Sequence, residues 1–244
     1  MTTPRESTTA IDYAGTELNV FANALNWKKY YASVIRPYIG GRVLEVGAGL
    51  GGTTDAICRG DESEWRCLEP DPQLVFRIDE RIERGEFRKN CSTMTGVLSD
   101  LPATPHWDTI LYIDVLEHIE RDADEVREAA LRLAPGGYLV ILSPAHSWLY
   151  SAFDEAIGHF RRYTRESLTE IMPDALDLQC LRYLDSVGVL LSLANRILLR
   201  SPEPSHAQIG VWDRWVVPVS RAIDPVLAYR FGKTIVGVWQ KRRD

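Results

Sequence analysis

The stretch Val43-Leu44-Glu45-Val46-Gly47-Ala48-Gly49-Leu50-Gly51-Gly52-Thr53-Thr54 constrains this chain more than any other. Its apolar start, interrupted only by Glu45, reads as a buried strand of a parallel sheet. Glycines then break the strand, and Thr53 and Thr54 stand where a helix opens. A strand, a glycine turn and a helix N-terminus in succession form a place where a nucleotide-like ligand lies against bare backbone.

The rest of the chain repeats the alternation. Phe21, Leu25, Tyr30, Val34 and Ile35 recur at helical spacing until Gly40-Gly41 stops them. Strands are then expected at Arg42–Val46, Trp65–Glu69, within Phe87–Met94, at Thr109–Ile113 and at Tyr138–Leu142, the last after a Pro135-Gly136-Gly137 turn. Helices are expected at Gly52–Cys58, Pro72–Glu83 (capped by Asp71), Ala123–Leu133 and Arg165–Met172. Leu176–Leu184 and Thr234–Lys241 read as two more strands. Between these two lie an apolar helical run (Val187–Leu199), a Pro/Ser loop (Ser201–Ser205) and a Trp-bearing segment (Val211–Val217). Such alternation implies an α/β fold, a doubly wound and mostly parallel sheet covered by helices on both faces. Three parts are expected: a tail and lid helix over 1–40, the α/β core over 41–184, and a helical insert with the final strand over 185–244.

Composition narrows the partners. A net charge of −6 argues against duplex nucleic acid or an anionic membrane as a partner; Arg161, Arg162 and Arg165 are the one local basic cluster singled out. Cys58, Cys67, Cys91 and Cys180 form no CxxC pair, and no Cys/His group has zinc spacing, so reduced cysteines, a cytoplasmic location and no metal are expected. Met1–Ala10 is polar, and Val187–Leu199 is too short to span a bilayer.

Gly47, Gly49 and Gly52 satisfy G-x-G-x-x-G, which admits a dinucleotide. The Tyr-x-x-x-Lys of single-domain dehydrogenases occurs only as Tyr229…Lys233, near the C-terminus. The fuller string Glu45-x-Gly47-x-Gly49-x-Gly51 resembles motif I of the class I S-adenosylmethionine (SAM)-dependent methyltransferases. Asp114-Val115-Leu116-Glu117-His118-Ile119 resembles the exit of that family's fourth strand, and Leu133-Ala134-Pro135-Gly136-Gly137-Tyr138 the turn into its fifth. The resemblance implies a seven-stranded Rossmann-like sheet with the last strand antiparallel, and SAM as cofactor with S-adenosylhomocysteine (SAH) as its product. It implies that Gly47, Ala48, Gly49 and Gly51 approach the methionyl end, with Glu45 helping to hold the ammonium group. Glu69, beside Pro70, would accept both ribose hydroxyls. Asp114 and Val115 would lie beside the cofactor. For the adenine, the turn at Gly96-Val97 and the pair Ser99-Asp100 compete. Tyr30 of the lid is expected to touch the methionine end or to pack in the core, and Tyr13 and Tyr31 stand in the same position. His118 and Glu117 are expected to support the local structure.

The acceptor side should lie in Ser143–Tyr163, which follows the fifth strand with a P-x-H and then a D-x-x-x-G-H-x-R-R-Y string resembling a tailoring subgroup of that family. His146 is the first candidate base and His159 the second, with Asp154 able to orient either imidazole. The string also fits a structural clasp in which His159 and Arg162 bond loop carbonyls. The insert's Leu190, Leu191, Trp212 and Trp215 suit an apolar or bulky acceptor, a homodimer contact or simple core. The resulting expectation is methyl transfer, at oxygen, to a small-molecule, saccharide or lipid-like acceptor. A SAM-binding partner protein without catalysis is the alternative.

Overall fold

In the computed structural model, which describes residues 21–194 and 205–243, the strands join into one seven-stranded sheet of order β3-β2-β1-β4-β5-β7-β6. The strands are β1 (Arg42–Val46), β2 (Glu64–Glu69), β3 (Cys91–Thr95), β4 (Trp107–Ile113), β5 (Leu133–Pro144), β6 (Leu176–Leu184) and β7 (Thr234–Lys241). β1 to β5 pair in parallel, and β7 inserts antiparallel between β5 and β6. The helices are α1 (Leu25–Ile35), α2 (Gly52–Ile57), α3 (Pro72–Glu83), α4 (Asp122–Arg132), α5 (Ala152–Ala156), α6 (Arg165–Glu170) and α7 (Ser186–Ala194). Beyond 204, α8 (His206–Val211) runs through a π turn (Trp212–Val216) into α9 (Val217–Ile223).

Residues alternate along each strand, so the sheet builds two cores. Val43, Cys67, Leu111, Val140 and Val238 face α1 and the insert. Leu44, Leu68, Ile110, Leu139 and Ile235 face α4 and α6. α3 begins as its sequence requires, with Pro72 in the first turn and Asp71 accepting from the Gln73 N–H at 2.7 Å. α1 has no cap of its own. Its N-terminus is capped from the insert, where Asp213 accepts from the Asn26 and Trp27 N–H groups at 3.2 and 2.8 Å.

One turn expected from sequence is absorbed into a strand. Leu133 pairs with Trp107 and Tyr138 with Thr109, so Pro135-Gly136-Gly137 forms a bulge inside β5. The Trp-bearing segment is a widened helical turn. Only part of the apolar run, Ser186–Ala194, lies within the described residues; the rest of it, the loop over 201–204, and Tyr13 of the tail lie outside them. Among the described residues no helix is long and apolar enough to cross a membrane. The four cysteines are free and buried.

The order reverses between β1 and β4, so the loops after their carboxyl ends diverge and open a crevice. Because β7 runs antiparallel, its first residues reach that same edge of the sheet.

Candidate active site

The crevice is the mouth of a cleft of about 2400 Å³ lined by residues from the loops after β1, β2, β3, β4 and β5 and from the start of β7. Its first half is built by the glycine turn and the end of β2. Gly47 has φ +66°, and a Cβ there would sit 2.6 Å from Val115 Cγ2, so only glycine lets the two loops meet. Glu69 is 3% exposed, and its carboxylate accepts from the Gly49 N–H at 2.8 Å and the Asp71 N–H at 3.1 Å. Burial raises its pKa against those two bonds. Gly47, Ala48, Gly49, Glu69, Pro70, Val97 and Val115 all line this half, with Phe21 and Tyr31 from the N-terminal segment above them.

The second half starts at Asp114, a non-glycine residue at φ +55° that follows β4 on the cleft floor. Its surroundings of protein atoms push its carboxyl up to about 7, the Lys233 ammonium opposing. Glu117 is fully buried; its Oε2 accepts from Ser143 Oγ at 2.8 Å and its Oε1 has no partner. Burial, then the neighbouring Asp114, raise its pKa well above the carboxylate range. The chain from 145 to 163 returns onto this floor. Tyr163 donates its N–H to the Pro144 carbonyl, accepts from the His146 N–H, and bonds Asp122 Oδ2 through its hydroxyl at 2.7 Å. The Phe160 N–H then donates to the Glu117 carbonyl at 2.8 Å, which sets His159 beside Glu117.

His159 is held from behind. Asp154, fully buried, lies 2.9 Å from His159 Nδ1 and accepts two bonds from Arg162, at 2.8 and 2.9 Å, and two from Ser151. Burial works against its charge, but these bonds prevail and hold its carboxyl well below the usual range. The clasp expected of this string therefore exists, closed on the Asp154 carboxylate rather than on loop carbonyls. His159 Nε2 faces the cleft 3.9 Å from Glu117 Oε1, its ring meeting that of His118 edge-on at 4.5 Å. Arg161 and Arg165 are likewise committed, to the Glu120 and Tyr229 carbonyls.

Six of the residues assigned to the cofactor or to catalysis do not line this cleft, and neither do Leu190 and Trp215 of the insert. Glu45 lies on the α2 face of β1, because strand residues alternate. Its carboxylate turns under the glycine turn to Thr54 Oγ1 at 2.6 Å and Trp65 Nε1 at 2.9 Å. Gly51 packs under Phe87. Asp100 closes its own turn on the Val97 N–H at 2.9 Å, with Ser99 between. Tyr30 points into the core and donates to Asp224 at 2.7 Å, while Tyr31, one residue on, reaches the cleft. His146 sits behind the cleft at φ +63°. It stacks on Tyr183 at 4.6 Å and Trp148 at 5.4 Å, and burial lowers its pKa.

Lys233 was not anticipated. It precedes β7, lines the cleft, lies 3.4 Å from Asp185 Oδ2 and covers the Trp212 ring at 4.0 Å. The Tyr229…Lys233 match does not account for this place, which follows from the antiparallel course of β7. Asp185, Asp224 and Ser220 form the knot that anchors the insert below it: Asp185 accepts from Trp212 Nε1 and Ser220 Oγ, and Asp224 from the Asp185 and Ser186 N–H groups.

A family model described as a methyltransferase domain matches residues 26–182. Among solved structures, geranyl diphosphate methyltransferase in complex with SAM superposes with a TM-score of 0.64 at 13% identity, over 96% of this chain and 93% of that one. Haemonchus contortus phosphoethanolamine N-methyltransferase 2, in complex with phosphomonomethylethanolamine and SAH, gives a TM-score of 0.65 at 15% identity, over 95% of this chain and 58% of that one. The [4+2]-cyclase SpnF gives 0.62 at 16% identity, over 94% and 95%. No curated protein sequence matches. These structural likenesses establish the fold, and the family model covers well over half of the sequence. The chain belongs to the methyltransferase-domain family and carries its class I, SAM-dependent fold.

Proposed function

We propose that this methyltransferase moves the methyl group of SAM to an oxygen of a small acceptor with a lipid-like or otherwise apolar body. One observation carries the reading: the glycine turn with Glu69, and the Asp114–Glu117–His159 floor, open into the same cleft. At about 2400 Å³ that cleft exceeds the ~300–1,000 Å³ of a single small-molecule site, so donor and acceptor fit side by side. The residues present suit the donor. Gly47, Ala48 and Gly49 bring main chain to the cleft wall where a methionyl end would approach, and Glu69 presents a buried carboxylate for a ribose. When bound, SAM supplies a methyl on a cationic sulfur, already activated, so the protein's work is alignment and exclusion of water.

Phe21, Tyr31 and Trp212 cover the cleft with rings, and Leu191, Ile209 and Val211 give its mouth an apolar wall, which favours the lipid-like class of acceptor. The polar group in position to activate an acceptor hydroxyl is His159, with Asp154 fixing the ring. His146 positions the returning loop. Tyr183 and Trp148, on whose rings it stacks, are outside the cleft, so its ring acts on packing.

Calorimetry with SAM and SAH, followed by mass spectrometry over a panel of hydroxylated lipids and saccharides, tests this. Expected are binding of both nucleosides and one methylated hydroxyl. His159→Gln should lower turnover by about 100-fold with SAH affinity retained. A wild-type chain that ignores SAM and SAH overturns the reading. Binding without transfer to any acceptor leaves the non-catalytic alternative.

A further inference from the structure

The insert carries an apolar face that the cleft does not use. Along α8, the π turn and α9, Ile209, Trp212, Val217 and Ser220 turn inward and are buried. On the other side Val211, Trp215, Val219 and Ile223 recur at every fourth residue. Val226 extends the stripe into the turn after α9, where the Leu227 N–H still donates to the Ile223 carbonyl. All five are at least 37% exposed. A surface helix of a globular protein normally turns polar residues to water. This one is apolar on both sides, which marks its outer side as a contact surface.

Charge decides what the surface meets. Across residues 205–231 the acids are Asp213 and Asp224. Both are buried and already bonded, Asp213 to the Trp27 N–H and Asp224 to the Asp185 and Ser186 N–H groups. The arginines of the same stretch, Arg214, Arg221 and Arg230, are all exposed. α7 packs beside α9, exposes Leu190 and Leu191, and holds no charged residue. Arg214 lies over the Trp215 ring at 5.4 Å. Such a pair suits a bilayer interface, where a tryptophan ring sits at headgroup level and an arginine reaches the phosphates.

We infer that this face docks on an anionic bilayer surface, with Trp215, Val219 and Ile223 at the acyl boundary and Arg214, Arg221 and Arg230 among the headgroup phosphates. The net charge of −6 does not oppose this. At physiological salt, exposed charges act over about 8–10 Å, so a bilayer lying on the insert meets its arginines rather than acids elsewhere on the surface. A second copy of the chain fits less well. A self-complementary contact would set the arginine-bearing stripe against itself and bring no exposed acid from this stretch to meet it. Leu191 and Val211 belong both to this face and to the mouth of the cleft, so the cleft opens beside the docked surface. Delivery of an acceptor from the bilayer into the cleft rests on the lipid-like acceptor proposed above; docking itself does not.

The test uses the full chain and sucrose-loaded vesicles of equal parts phosphatidylglycerol and phosphatidylcholine. The chain should sediment with them, and bind vesicles of phosphatidylcholine alone at least about tenfold more weakly. Arg214→Gln with Arg221→Gln should weaken binding to the anionic vesicles about 30-fold, and Trp215→Ser at least about tenfold. Brominated phosphatidylcholine in the vesicles should quench tryptophan emission, with most of the quenching lost in Trp215→Phe. These residues lie outside the cleft, so SAH calorimetry should be unchanged in each variant. Circular dichroism checks folding, and the wild-type arm decides the matter if a variant does not fold. A wild-type chain that stays in the supernatant with anionic vesicles overturns the inference, as does binding unchanged in the folded variants. So does a lipid-free dimer, read by analytical ultracentrifugation, that Trp215→Ser returns to monomer, because a second copy then covers the face. SAH binding without vesicle binding sinks only the docking surface, whereas a chain that binds vesicles and ignores SAM and SAH sinks the transferase.

Discussion

Replacing Glu45 by Gln should flatten the pH dependence of stability and leave SAH affinity unchanged. The carboxyl is 2% exposed, and burial pushes its pKa up to about 7 from 4.5, the bonds from Thr54 and Trp65 only partly opposing. Between those values the folded protein keeps a proton that the unfolded chain has released. Glu45's contribution is therefore fully present below about pH 4.5 and is lost as pH rises through 7. The gap corresponds to about 3 kcal/mol. Gln carries no such proton. Thr54 Oγ1 and Trp65 Nε1 both donate to one oxygen, Oε2, so a Gln carbonyl in that place keeps both bonds. Other buried carboxyls titrate alike in both proteins and cancel in the difference. Urea unfolding at pH 5 and pH 8, followed by circular dichroism, should show the variant gaining on the wild type by about 2.5 kcal/mol across that range. Parallel profiles would refute the placement of this carboxyl in a dry pocket. A tenfold loss of SAH affinity would instead restore Glu45 to the ligand.

Three further outcomes follow from single contacts. Gly47→Ala meets Val115 at 2.6 Å and a left-handed backbone, so it should cost about 1–3 kcal/mol and weaken SAH binding, with Val115→Ala in the same chain restoring part of the stability in thermal melts. Tyr30→Phe leaves Asp224 without its hydroxyl donor and should cost about 1–3 kcal/mol with SAH affinity intact; weakened SAH binding would return Tyr30 to the cleft. His146→Ala removes the stack on Tyr183 and Trp148, lowering stability by about 1–2 kcal/mol with no effect on SAH calorimetry.

Much of the frame was legible because its causes are local. Asp71 and Pro72 start α3 by bonds within one turn, and the glycines after β1 mark a loop that no larger residue could follow. Residue types at the site were legible too, since Gly47, Glu69, Asp114 and His159 all reach the cleft. What failed was side-chain direction. Tyr30 and Tyr31 differ by one helical position, and Glu45 and Val46 by one strand position, yet one of each pair faces the cleft and the other does not. His146 stands nearest the end of β5 in sequence, but its left-handed backbone swings the ring into an aromatic stack.

Sequence alone determined the strand–turn–helix order, the family and the set of polar residues that crowd one edge of the sheet, because period, turn chemistry and motif are properties of neighbouring residues. Tertiary structure decided which of those residues meet. Glu117 faces His159 because the 145–163 loop closes on a buried Asp154, and Lys233 enters the cleft because β7 runs against its neighbours. Those contacts join residues tens of positions apart, and their free energy depends on burial and distance, which exist only once the chain has folded.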